Sequence, residues 1–175
     1  MIKNASVPIL GFAAFSGTGK TTLLTHLIPI FKRRGLSVGL IKHSHHNFQI
    51  DQPGKDSFRL REAGASPVML VSTHRRAIIT EFQDITEPDL DEQLLAFDQS
   101  GLDLILVEGF KATAFPKIEV YRPSMNKPLL YVDDVNIIAI AADEPLDIPK
   151  NLVRLDLNQP ELIAAFIINR FMGTT

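Results

Sequence analysis

The segment Ala14-Phe15-Ser16-Gly17-Thr18-Gly19-Lys20-Thr21 sets two glycines, a lysine and a hydroxyl close together. Glycines at 17 and 19 permit backbone angles closed to other residues, so successive N–H groups can point at one anion. Lys20 adds a mobile point charge. The Thr21 hydroxyl is the kind of oxygen that magnesium takes beside phosphate. This is the chemistry of polyphosphate binding. The spacing matches the P-loop, Gly-x4-Gly-Lys-Ser/Thr, with Ala14 in place of the first glycine. The loop works through its main chain, so that change leaves the binding chemistry in place. The expected nucleotide contacts are Ser16, Gly17, Thr18, Gly19, Lys20, Thr21 and Thr22.

A magnesium-bound triphosphate needs a second protein ligand, usually a carboxylate at the end of a neighbouring strand. In Asp103-Leu104-Ile105-Leu106-Val107-Glu108-Gly109, Glu108 closes an apolar run and Gly109 opens a turn. Thr21 and Glu108 are therefore the expected metal ligands, and Lys20 and Glu108 the first candidates for catalysis. Asp51 and Asp56 are further catalytic candidates, able to orient the attacking water or to reach magnesium through one. Asp56 reads equally well as a helix N-cap. Lys42 ends a strand and is expected beside the phosphates. His43-Ser44-His45-His46 follows it. That cluster reads as a loop touching an anion, as a solvated loop, or as a metal site. For the base, Asp143 is the candidate, since a carboxylate there can accept guanine N1–H and N2–H together. Asn126-Lys127-Pro128-Leu129 is a false lead, because Leu129 stands where a guanine-binding Asn-Lys-x-Asp needs its aspartate. No residue stands out as an arginine finger or a water-orienting glutamine, so intrinsic hydrolysis is expected to be slow.

These groups need a scaffold. Val7 to Phe15 is continuously apolar, as in a parallel strand covered on both faces. Gly19 to Arg34 reads as a helix with Leu23, Leu27, Ile30 and Phe31 on one face and Gly35 as its stop. Pro29 is expected to kink it. Further strands are expected at Leu36 to Lys42, Leu102 to Val107, Lys117 to Tyr121, Ile137 to Ala142 and Val153 to Leu157. Val68 to Ser72 and Ala77 to Phe82 read as a strand pair. Helices are expected from Asp56 or Ser57 to Ala63, Pro88 to Asp98 and Pro160 to Met172. The alternation predicts an α/β protein with a three-layer, mostly parallel sheet and the P-loop NTPase fold, as a single domain over residues 1–175. Each motif then sits beyond the carboxyl end of a strand, where such sheets bind ligands.

The chain has 175 residues, 45% of them hydrophobic and 22% charged, with a formal net charge of -2. That balance gives no general attraction to nucleic acid or anionic lipid. Cysteine is absent, which excludes disulfides, thiolate metal sites and a cysteine nucleophile, and fits a cytoplasmic protein. No apolar stretch is long enough to span a bilayer.

Four runs go further together than any does alone. They are Gly11 to Leu24 around the loop, Gly39-Leu40-Ile41-Lys42-His43-Ser44-His45-His46, Asp51 to Ser57 with Ala63-Gly64-Ala65, and Leu106-Val107-Glu108-Gly109-Phe110-Lys111. They resemble the molybdopterin-guanine dinucleotide biosynthesis protein B family over essentially the whole chain. The resemblance implies a homodimeric GTP-binding protein of the P-loop class that contains dethiobiotin synthetase and the nickel-insertion GTPases. It implies an adapter that assists the molybdopterin guanylyltransferase and helps pass on the finished molybdenum cofactor. A Val-Glu-Gly in the related dethiobiotin synthetase is similar to Val107-Glu108-Gly109, which supports Glu108 as a magnesium ligand. Two rival functions use the same residues. One is a small-molecule kinase or ATP-dependent ligase related to dethiobiotin synthetase, with its acceptor on residues 43–56. The other is a metallochaperone GTPase carrying metal on His43, His45 and His46.

Overall fold

The computed structural model describes residues 2–44, 48–84 and 86–173. The chain divides into two compact units, Met1–His43 with Asp89–Thr175, and Ser44–Pro88.

The larger unit contains, in chain order, β1 (Ile9–Ala13), α1 (Lys20–Arg33), β2 (Val38–Lys42), α3 (Leu90–Ala96), β5 (Leu104–Glu108), β6 (Lys117–Tyr121), β7 (Ile137–Ala142), β8 (Val153–Asp156) and α4 (Pro160–Phe166). The smaller contains α2 (Asp56–Glu62), β3 (Val68–Val71) and β4 (Arg76–Ile79). The strands of the larger unit form one six-stranded sheet in the order β2-β5-β1-β6-β7-β8. Every pairing in it is parallel.

Side chains alternate across this sheet and build two cores. Leu10, Phe12, Leu104, Leu106, Ile118 and Val120 pack on one face with α1 and α4. Ile9, Ile105 and Val107 point the other way, against Leu90 and Leu94 of α3. The three-layer arrangement follows from this alternation, because continuous apolar strands bury both faces. On α1, Leu23, Leu27, Ile30 and Phe31 are all buried, which is the face their spacing predicts. Burying a side chain the size of Leu27 stabilises the fold by about 1.5–3 kcal/mol. The helix runs through Pro29 and ends at Gly35, whose φ of 78° is the left-handed stop.

The expected helix Pro160 to Met172 is α-helical only through Phe166. It continues as a π-helical turn, Ile167–Phe171. Strand β6 carries Lys117 and Glu119, which weaken it as a sequence pattern, yet both are buried. Each has partners. Lys117 Nζ donates to the Thr113 carbonyl at 2.6 Å and to Asp134 at 2.8 Å. Glu119 accepts the N–H groups of Leu130 at 2.7 Å and Tyr131 at 3.0 Å. Burial pushes the Glu119 carboxyl above its ordinary range, and those two N–H groups pull it part of the way back.

In the smaller unit β3 and β4 pair antiparallel. Ser72 Oγ accepts from the N–H groups of His74 and Arg75 and holds the turn between them. Among the described residues of this unit only Asp51 is buried. Met69, Val71, Ile78 and Phe82 are exposed, Val71 to 76%.

Glu119→Ala would leave the half-buried Leu130 and Tyr131 N–H groups without their acceptors. The urea midpoint is expected to fall by the equivalent of about 2 kcal/mol or more at an unchanged m-value. A loss under about 0.5 kcal/mol would contradict this account of β6.

Candidate nucleotide site

The parallel registers bring the strand ends into line. Lys42 of β2 is level with Glu108 of β5, and Glu108 with Phe12 of β1. On the other side, Tyr121, Ala142 and Asp156 end β6, β7 and β8 together. The loop 14–19 leaves β1 at this edge and enters α1.

The loop has the form its glycines require. Gly17 has a φ of 80° and Gly19 a φ of 104°. Thr18 is buried, and its hydroxyl donates back to the Phe15 carbonyl at 2.8 Å. Ser16 and Gly17 are exposed at the crest. Helix α1 starts at Lys20 with no side-chain cap and no acid in its first turn. Its leading N–H groups and its positive dipole end are therefore presented to whatever lies in the loop. Lys20 Nζ bends over the loop and donates to the Ala14 and Phe15 carbonyls at 3.2 and 3.3 Å.

Glu108 lies opposite. The Thr21 hydroxyl is 3.4 Å from Glu108 Oε1, and Lys42 Nζ is 3.4 Å from Oε2. Adjacent oxygen ligands of a magnesium octahedron stand about 3 Å apart, so Thr21 and Glu108 are spaced for one small cation. The Lys42 ammonium supplies positive charge to that carboxylate. Burial lowers the pKa of Lys20. Glu108 raises it, while Lys111 and Lys42 lower it further. One carboxylate thus faces several ammonium groups, an excess that a polyanion relieves. Lys111 Nζ also lies 5.4 Å from the Phe15 ring centre, beside the loop. Gly109 cannot be exchanged freely. Its φ is 103°, and a Cβ there would lie 2.7 Å from His43 Cβ.

The other flank holds a residue that sequence reasoning missed. Arg122, the first residue after β6, donates from Nε to the Thr18 carbonyl at 2.9 Å. Its Nη1 pairs with Asp143 Oδ2. Asp143 Oδ1 is buried and has no hydrogen-bond partner among the described residues. Beside this pair, Gly19, Thr22, Leu23, His26, Arg122, Leu157, Asn158 and Pro160 enclose a cavity of about 320 Å³. The signal for Arg122 was available, since the strand-end rule that picked Lys42, Glu108 and Asp143 points to it equally.

Asp51 and Asp56 fall in the smaller unit. Asp51 is held by Arg61, with Nη2 at 3.1 Å, and Arg61 also reaches Glu81 at 2.7 Å. Asp56 is the first helical residue of α2, one place inside the N-cap Lys55, and accepts from the Ser57 N–H. His45 and His46 lie outside the described residues. His43 packs against Phe110 with ring centres 4.8 Å apart. Among the described residues no group of three or more histidines and acids is placed to hold a metal.

Fold and loop define a P-loop protein of the three-layer α/β class. A family model described as Molybdopterin guanine dinucleotide synthesis protein B matches residues 9–143. The chain belongs to that family. It is 47% identical over 171 residues to the molybdopterin-guanine dinucleotide biosynthesis adapter protein of Escherichia coli K12, covering 96% of this chain and 95% of that one. It is 46% identical over 166 residues to the protein of the same name from Haemophilus influenzae, covering 95% and 90%. A crystal structure of molybdopterin-guanine biosynthesis protein B superposes with a TM-score of 0.72 at 28% identity, covering 92% of this chain and 98% of that one. The Bacillus subtilis MobB structure shares the fold, with a TM-score of 0.74 at 23% identity over 93% of this chain and 96% of that one.

The lowered pKa of Lys20 has a sign that can be tested. Polyphosphate favours its charged form, so affinity is full below the depressed pKa and falls as pH rises through it, starting below the ordinary 10.5. Tripolyphosphate titrations between pH 8 and about 10.5 are expected to show this fall, and Lys20→Met to flatten it. An equal fall in that variant would assign the effect to another group.

Proposed function

We propose that this chain is a cytoplasmic, GTP-binding adapter that acts with magnesium and hydrolyses GTP slowly. The observation that carries the reading is the uncapped start of α1 beneath Lys20, with the Thr21 and Glu108 oxygens 3.4 Å apart at its mouth. The main-chain N–H groups of residues 17–21 hold the phosphates. Thr21 and Glu108 would hold magnesium, which would supply charge neutralisation and alignment of the phosphates. Lys20 and Lys42 place positive charge where negative charge builds up during transfer. Asp143 accepts from the guanine edge. Arg122 sits on the β6 side of β1, away from Glu108, and is committed to Thr18 and Asp143. Arg122 is thus not placed to act as an arginine finger on the γ-phosphate, which favours slow turnover.

The relatives' printed names speak of an adapter in molybdopterin-guanine dinucleotide biosynthesis. On that basis the GTP-bound chain assists the guanylyltransferase that joins GMP to molybdopterin. A homodimer fits the smaller unit, whose apolar side chains at Met69, Val71, Ile78 and Phe82 find no core of their own. A two-stranded hairpin alone is marginal in water, and a second copy would cover it.

Lys20→Ala is expected to weaken Mg-GTP binding about ten- to a hundred-fold, the worth of roughly 1.5–3 kcal/mol for charge-assisted hydrogen bonds. Its melting curve should match the parent's, because Lys20 is not part of either core. Calorimetry showing unchanged GTP affinity would overturn the site. Sedimentation equilibrium at micromolar concentration is expected to return twice the chain mass, and a monomer would contradict the dimer.

A further inference from the structure

We infer that Arg122 is a specificity-determining residue that reads the guanine base jointly with Asp143, an inference resting on the GTP-binding reading above. The cavity beside the loop begins at Gly19 and Thr22, where the phosphate cradle ends. A nucleotide whose phosphates lie on residues 17–21 has its base delivered there. At about 320 Å³ the space is at the lower end of the range for small-ligand sites. Leu23 and Leu157 provide apolar wall, and Arg122 brings a guanidinium to it.

Arg122 is fixed before any ligand arrives. Nε is tied to Thr18 and Nη1 to Asp143. A guanidinium carries five N–H donors, and Nη2 makes no hydrogen bond to any described residue. Nη2 lies 3.6 Å from the point where a Cβ on Gly19 would stand, so the free donors sit directly over the end of the cradle. On guanine, O6 and N7 form a paired acceptor edge that arginine matches with two donors. Adenine presents an amino group at position 6 and sets donor against donor.

Asp143 selects in the same direction. Its Oδ1 is buried and unpartnered, a costly state that a donor relieves. Guanine offers N1–H, next to O6 on the ring, whereas adenine N1 is itself an acceptor. The pairing with Arg122 also neutralises a carboxylate that would otherwise repel the phosphates nearby. Arg122 thus keeps Asp143 compatible with a triphosphate and adds the contacts that refuse adenine.

Calorimetry on the full chain with magnesium and GTP, ITP, 7-deaza-GTP and ATP tests this without any mutation. ITP keeps O6, N7 and N1–H and is expected to bind within a few-fold of GTP. The 7-deaza analogue lacks N7 and is expected to bind about ten-fold more weakly, and ATP ten-fold or more below GTP. In Arg122→Met the GTP–ATP gap is expected to close to a few-fold, whatever loss the uncovered Asp143 charge adds to both nucleotides, and Arg122→Lys is expected to lose the 7-deaza discrimination. Equal binding of GTP and 7-deaza-GTP by the parent chain would overturn the inference alone. So would a GTP–ATP gap that survives in Arg122→Met, or a parallel loss for every nucleotide, which would make Arg122 only a brace of Thr18. A parent chain that binds no nucleotide at all would instead overturn the GTP reading, and the inference with it.

Discussion

Main-chain N–H groups at the start of α1 have no capping side chain and no acid within the helix's own first turn, and Glu108 of β5 stands 3.4 Å from the Thr21 hydroxyl. A helix end in that state is an incomplete electrostatic object. Its surroundings deepen the imbalance. Lys20 is desolvated above it and feels Lys42 and Lys111 as well as Glu108. Lys20 settles on the Ala14 and Phe15 carbonyls, and Lys42 settles on Glu108. These contacts are long and modest, so phosphate oxygens and a metal ion could displace them. The rest of the larger unit serves to position these groups. Two apolar cores clamp the sheet from both faces, and parallel pairing aligns the strand ends that carry the charges.

Much of this was legible from residue types. The apolar runs located β1, β5 and β7 because strands buried on both faces have no polar positions to break the pattern. Glycines at 17, 19 and 109 marked turns that positive φ values bear out. Lys42, Glu108 and Asp143 followed from the rule that ligands collect beyond strand ends. What stayed hidden depends on distance between segments far apart in the chain. Arg122 obeys the same strand-end rule, but its hold on Thr18 and Asp143 showed only once β6 lay beside β1. The partners of Lys117 and Glu119 were hidden for the same reason. A residue can be charged and wholly buried when the folded chain delivers its counterpart.

The smaller unit shows the other limit of pattern reading. Its hairpin was evident from two short β-prone runs around His74-Arg75. Nothing local reveals that these strands bury no apolar side chain of their own, since alternation describes which side chains share a face and not what covers it. Asp51 illustrates the same gap. Its sequence position offered a water-orienting carboxylate, and the structure places it in an ion pair with Arg61, which Glu81 also joins.

The central claim is that polyphosphate occupies the main-chain cradle at residues 17–21, with Thr21 and Glu108 gathered on one metal ion. A crystal structure with magnesium and a non-hydrolysable GTP analogue addresses it directly. The account expects β- and γ-phosphate oxygens on the N–H groups of that segment, Lys20 swung from the Ala14 and Phe15 carbonyls onto the phosphates, and Glu108 released from Lys42. Phosphates bound elsewhere, with Lys20 still on those carbonyls, would contradict it.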